Sequence, residues 1–134
     1  MTDVPFVNPR WEGYPKHRRM RGPSAEGMWE RSELAKMTGR PGQPAQYDPN
    51  LTDPDIHGME MGCIARSELE LTPRRRPHVR EFYGRFPQYI GASEGKKTKY
   101  IYVEYHQSGA VHGRPVTGEF LKKKGVVIDD SDEA

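Results

Sequence analysis

Thr98-Lys99-Tyr100-Ile101-Tyr102-Val103-Glu104-Tyr105-His106 is the stretch on which the fold turns. β-Branched and aromatic residues fill it. A period of two puts Ile101, Val103 and Tyr105 on one face and Tyr100, Tyr102, Glu104 and His106 on the other. This pattern predicts a central strand. Toward the C-terminus, residues 107–113 carry turn chemistry. They lead into a predicted second strand over Val116–Leu121, bulged at Gly118, with Val126–Ile128 as a short third. Toward the N-terminus, Pro77 suits a first helical turn and Pro87 a stop. Between them Val79, Phe82, Tyr83 and Phe86 recur at helical spacing and predict an amphipathic helix, against which Gly84 counts by about 1 kcal/mol. Before it, residues 62–71 alternate Cys63, Ala65, Ser67, Leu69 and Leu71 with Ile64, Arg66, Glu68 and Glu70, predicting another strand with one wet face. The expected fold is α+β, a small antiparallel sheet with one covering helix over residues 61–128. At roughly seventy residues such a domain is near the lower limit for a self-sufficient core.

Residues 1–60 read differently. Eight of the twelve prolines (5, 9, 15, 23, 41, 44, 49 and 54) fall there and leave little room for regular structure. Between them stand single large side chains, Phe6, Trp11, Tyr14, Trp29 and Tyr47, and a basic run, Lys16, His17, Arg18, Arg19 and Arg21. A solvated linker is depleted in aromatics. These five are therefore candidate partner-binding anchors on an extended arm, of the kind that fill pockets on another surface. The alternative is that they fold back on the chain's own C-terminal half. One short helix is expected over residues 25–38, with Ser24 as N-cap and Gly39 just past its end. The last segment, 129–134, is an acidic tail.

Lysine and arginine total 21 against 19 acids, a net +2, and four of the acids are Asp129, Asp130, Asp132 and Glu133. Without those four the body stands near +6, basic enough to face phosphate or an acidic partner. Cys63 is the only cysteine, so an intramolecular disulfide is excluded, and a reducing compartment or a virion is the expected location. Residues 1–10 hold no apolar run of signal-peptide length, and no stretch approaches the roughly 18 apolar residues of a membrane span, so no membrane partner is expected.

The chemistry-bearing motifs are few. Gly91, Gly95, Lys96, Lys97 and Thr98 resemble a phosphate loop only superficially. The glycine spacing is one short, Lys97 separates Lys96 from Thr98, and the segment enters a strand where such a loop must open a helix. The histidines and Cys63 show no paired ligand spacing, so neither a metal site nor any other cofactor is expected. His106, His112 and Arg114, beside Tyr102 and Tyr105, form the best catalytic candidate. Two imidazoles and a guanidinium supply the acid, base and phosphate clamp of metal-free RNA cleavage. Arg74, Arg75 and Arg76, within a basic cluster over 74–85 that includes His78, Arg80 and Arg85, form with Lys96, Lys97 and Lys99 and the rings of Tyr100 and Tyr102 a candidate nucleic-acid surface, joined by Lys122–Lys124.

Taken together, the sequence leads to the expectation of a non-catalytic structural or interaction protein of a large assembly, for instance a minor capsid or cementing subunit of a virion. Its partners would be other protein subunits. A nucleic-acid-binding component is the alternative, and a small metal-independent nuclease a third.

Overall fold

The structure is a computed structural model that describes residues 5–73 and 75–129. In chain order the elements are β1 (Arg10–Trp11), a 3-10 turn (Pro15–Arg18), α1 (Pro23–Glu30), α2 (Glu33–Met37), β2 (Gln46–Tyr47) and α3 (Asp53–Ile64). A second 3-10 turn (Ser67–Leu69) follows, then β3 (Val79–Arg85), β4 (Gly91–Ser93), β5 (Lys96–Thr98), β6 (Tyr100–His106), β7 (Ala110–Val116) and α4 (Gly118–Lys123). The class is α+β, with two sheets. The larger has the order β1-β7-β6-β3 and the smaller β2-β4-β5. Strand β6 is central, pairing antiparallel with β3 on one side and β7 on the other.

Burial on both sheet faces explains where sequence and structure part. The 77–87 segment is strand β3, not a helix. Phe82 and Gly84 lie opposite Val103 and Ile101 and join the core under α3, while Tyr83, opposite Tyr102, packs toward α4. A strand covered on both sides needs apolar residues at adjacent positions, and here that need imitates helical spacing. Gly84 has a packing reason. A Cβ there would come within 2.6 Å of the Cys63 sulfur, so it marks the close approach of α3 to the strand.

The covering helix is α3, which displaces the strand expected at 62–71. Thr52 caps it reciprocally: its hydroxyl accepts the Asp55 N–H and the Asp55 carboxylate accepts the Thr52 N–H. Ile56, Glu60 and Cys63 recur at i, i+4, i+7 as its buried stripe. The acidic middle member and the interposed Gly58 and Gly62 disguise it. Leu71 then runs beside β3, its N–H donating to the Glu81 carbonyl. The strand predicted at Val116–Leu121 is also corrected. Strand β7 ends at Val116, Thr117 accepts the Phe120 N–H as N-cap, and Gly118 opens α4 rather than a bulge. Val126–Ile128 is irregular chain, with Val126 and Ile128 packed on the α4 cluster. The single helix expected at 25–38 is two, α1 and α2, parted at Ser32 with φ +62°. Pro23 takes the first helical position, so Ser24 is not the cap.

The N-terminal residues complete this fold. Strand β1 pairs parallel with β7, and β2 pairs with β4. The boundary expected at residue 60 falls inside α3. Trp29 packs with Leu34, Ala35 and Ala92, and Tyr47 joins the core between α3 and the sheet. Phe6 meets Tyr105 edge to face at 5.2 Å. Trp11 donates its Nε1–H to buried Glu60 at 2.8 Å. His17 is buried with Nδ1 2.7 Å from the Ala45 carbonyl, and burial lowers its pKa to about 4. Of the five anchors only Tyr14 is exposed, at 39%. The C-terminal acids from Asp130 onward, and Arg74, lie outside the described residues.

Candidate functional site

On the face of the larger sheet turned away from α3, helical cover lies at one end among the described residues. There α4 and the chain after it pack on Tyr100, Tyr102 and Val116. Strand alternation continues the same face through Glu104 and His106 on β6. Antiparallel register sets His112 opposite Glu104 and Arg114 opposite Tyr102 on β7. At this end Glu104, His106 and His112 bring one ligand or proton-carrying atom each within 4.8 Å of one another. The sequence pointed to both histidines, and the turn between β6 and β7 brings them together, with ring centroids 4.8 Å apart.

Each member is held by a named partner. The Glu104 carboxylate lies 3.2 Å from His106 Nε2 through Oε1. Its Oε2 accepts from the Tyr102 hydroxyl at 2.8 Å and from the Arg76 guanidinium. Burial works against this carboxylate, yet the hydrogen bonds from Arg76 and Tyr102 hold it below the ordinary range. His112 is buried, and its Nε2 lies 2.8 Å from the Tyr14 hydroxyl, whose ring leans over the imidazole at 3.9 Å between centroids. Burial, with His106 as neighbour, outweighs Glu104 and Glu12 and lowers the His112 pKa, so the ring is neutral near pH 7. The Arg114 guanidinium sits 5.2 Å from the Tyr102 and Phe120 ring centroids and has no carboxylate partner among the described residues. Lys124 Nζ is 2.8 Å from Glu81, a buried carboxylate that shares the single Tyr102 O–H with Glu104.

Glu104, Tyr14 and Arg76 as site members escaped the sequence reading. Glu104 had a signal, because a carboxylate two residues before His106 in a strand must share its face. Tyr14 and Arg76 come from remote segments and had none. The candidate nucleic-acid surface is not assembled as expected. Tyr100 and Tyr102 are each 2% exposed, so neither ring is available to stack on a base, because α4 covers both. Arg75 is exposed and Arg76 serves Glu104. Lys96, Lys97 and Lys99 lie on or beside the smaller sheet.

Glu104, His106 and His112 are donors of the kind that hold transition ions. Arg76 already occupies one Glu104 oxygen, and a second cation beside it is disfavoured. As it stands the set is a hydrogen-bonded acid–base cluster. Cys63 is no alternative nucleophile: it is buried, and burial pushes its thiol up to about 12. Comparison with protein-family models, with curated proteins and with solved structures returns no match.

Proposed function

We propose that this chain cleaves RNA by metal-independent phosphoryl transfer at the Glu104–His106–His112 cluster. The observation that supports it is the meeting of two imidazoles and a carboxylate, with Arg76 on that carboxylate and Arg114 opposite Tyr102 on the same sheet face. Neutral His112 is the general base, taking the proton of the ribose 2′-hydroxyl onto Nε2, where the Tyr14 hydroxyl now sits. The 2′-oxygen attacks phosphorus and the bond to the 5′-oxygen breaks. His106, aimed by Glu104, delivers a proton to that leaving oxygen. Arg76 and Arg114 balance the charge that grows on the phosphoryl oxygens. The products are a 2′,3′-cyclic phosphate and a free 5′-hydroxyl, and DNA, which lacks the nucleophile, is inert.

The assembly-subunit expectation depends on aromatic anchors free to enter a neighbour. Phe6, Trp11, Trp29 and Tyr47 all pack within this chain, and the fifth, Tyr14, borders the cluster. The nuclease proposal is tested by incubating the folded chain with single-stranded RNA in chelator and identifying the ends. Cyclic phosphate ends, lost in the His106→Ala/His112→Ala double variant, are expected. Intact RNA, or equal cleavage by the double variant, refutes it.

A further inference from the structure

A second basic surface lies beside the smaller sheet, and its lysines, like Arg114, have no carboxylate partner among the described residues. Arg18, Arg21, Arg31, Arg76, Arg80 and Lys124 each pair with a carboxylate. Lys36, Lys96, Lys97 and Lys99 pair with none among the described residues. Three of these four, Lys36, Lys96 and Lys97, line a groove of about 550 Å³ between α2 and the β4–β5 hairpin, together with Tyr89. The fourth, Lys99, holds its Nζ 5.2 Å from the Tyr89 ring centroid. Solvated lysines on a sheet edge guard against aggregation, but such lysines have no need of a shaped and rigid setting.

This groove has one. The hairpin turns at Glu94 (φ +51°) and Gly95 (φ +85°), two positive-φ residues in a row, the signature of a tight I′ turn. Its tip is clamped to the end of α2, where the Thr38 hydroxyl accepts the Gly95 N–H at 3.1 Å. A Cβ on Gly39 would lie 3.1 Å from the Gly95 backbone. Glu94, the hairpin's own acid, points elsewhere and accepts the Thr117 hydroxyl at 3.1 Å. Ser32, at the groove's other wall, adopts φ +62°, an unfavourable conformation for a non-glycine residue. Lys97 is itself fixed, its Nζ 4.4 Å from the Trp29 ring centroid. A cleft lined by three lysines without carboxylate partners and a partly exposed tyrosine, with Lys99 beside that ring, matches a phosphate backbone with an unpaired base stacked beside it.

We infer that the Lys36–Lys96–Lys97–Lys99 groove binds the phosphate backbone of single-stranded RNA and holds the substrate of the proposed cleavage site at a distance from the reaction. The choice of RNA as the polymer rests on the proposed function; the polyanion chemistry does not. The test uses the full chain carrying His106→Ala/His112→Ala, so binding is read whether or not the protein cleaves. Fluorescence anisotropy with labelled oligouridine is followed as salt rises from 50 to 200 mM. Each phosphate neutralised on a single strand contributes a slope of about −0.7 in log K against log salt, so four lysines give about −3. Replacing all four by glutamine is expected to weaken binding at least tenfold at 50 mM salt and to make the slope shallower by about 3. Replacing all four by arginine retains both, which separates lost charge from lost folding.

Unchanged affinity and slope in the glutamine variant, or equal affinity for an RNA duplex of the same length, overturns the inference. If the parent never cleaves yet the slopes behave as stated, the groove stands and the cleavage proposal falls.

Discussion

Replacing Glu60 by alanine removes the acceptor on which three segments converge. This residue is 1% exposed and accepts from Trp11 Nε1 at 2.8 Å, from the Tyr47 hydroxyl at 2.5 Å and from the Gly113 backbone N–H. A buried donor left without a partner costs about 1–3 kcal/mol. The Tyr47 hydroxyl can turn elsewhere, and a cavity of about 170 Å³ beside the site leaves room for water near the others. The expected loss is therefore roughly 3–5 kcal/mol, a large share of the 5–15 typical of a domain. Glu60→Gln keeps an oxygen for Trp11 and offers its NH₂ to Tyr47, whose hydroxyl can accept, so its cost at pH 7 is about 1 kcal/mol. The pH dependence gives a second handle. Burial raises the Glu60 pKa above the unfolded value of about 4.3. Its favourable contribution is thus complete below that value and is lost as pH rises through the folded value. Glutamine does not titrate, so the deficit of Glu60→Gln must shrink between pH 4.5 and 7. Urea denaturation followed by tryptophan fluorescence and circular dichroism at both pH values measures these differences. An alanine variant within 1 kcal/mol of wild type, or a glutamine variant as unstable as alanine, would refute this account of how the N-terminal segment is held.

Gly84→Ala places a Cβ 2.6 Å from the Cys63 sulfur, and overpacking should cost about 1–3 kcal/mol in thermal unfolding. Adding Cys63→Ala should recover part of that loss, and an additive double variant would exclude the contact as its cause. His17 has its pKa lowered by burial to about 4, so its contribution is complete above the unfolded value near 6.5 and is lost as pH falls toward 4. The shift corresponds to about 3 kcal/mol, and Glu60 acts with opposite sign over part of the window, so wild type and His17→Gln are compared at each pH in urea. For RNA cleavage, a neutral His112 base makes kcat/KM fall on the acid side, with its midpoint below the ordinary imidazole value of about 6.5. An acid limb centred at or above 6.5 in the measured profile contradicts that assignment.

The central strand was legible because its two faces carry alternating residues over seven positions, all of which pair in register. The helix and strand on either side of residue 70 were exchanged for a common physical reason. Sequence periodicity reports the number of buried faces, and the same spacing arises from a one-sided helix or a two-sided strand. Strand β3 has both faces buried and so mimicked a helix. Helix α3 has a carboxylate at the centre of its buried stripe and so lost its helical signal. Only the donors from Trp11, Tyr47 and Gly113 make a glutamate tolerable there, and two of them lie far off in sequence. The N-terminal anchors were legible as anchors, but the pocket that received them depends on long-range pairing of β1 and β2.

The site divides along the same line. His106 and His112 stood out because a turn between two strands brings residues near its ends into proximity, a short-range inference. What makes the two histidines a distinguishable pair is the environment. Glu104 backed by Arg76 and Tyr102 flanks His106, while the Tyr14 ring and hydroxyl enclose His112. Residue types alone left the two imidazoles equivalent, whereas acid–base chemistry at one pH needs them unlike. Tyr14 is one of the groups that border His112, and three residues earlier in the chain Trp11 is fixed to Glu60 on the opposite face of the sheet. The edge pairing of β1 with β7 thus carries one chain segment around the sheet, tying buried Glu60 on one face to the half-buried cluster on the other. It follows that Glu60→Ala should alter the pH profile of cleavage as well as stability, through the displaced Tyr14. A variant destabilised but with the wild-type acid limb would show that Tyr14 holds its place without that tether.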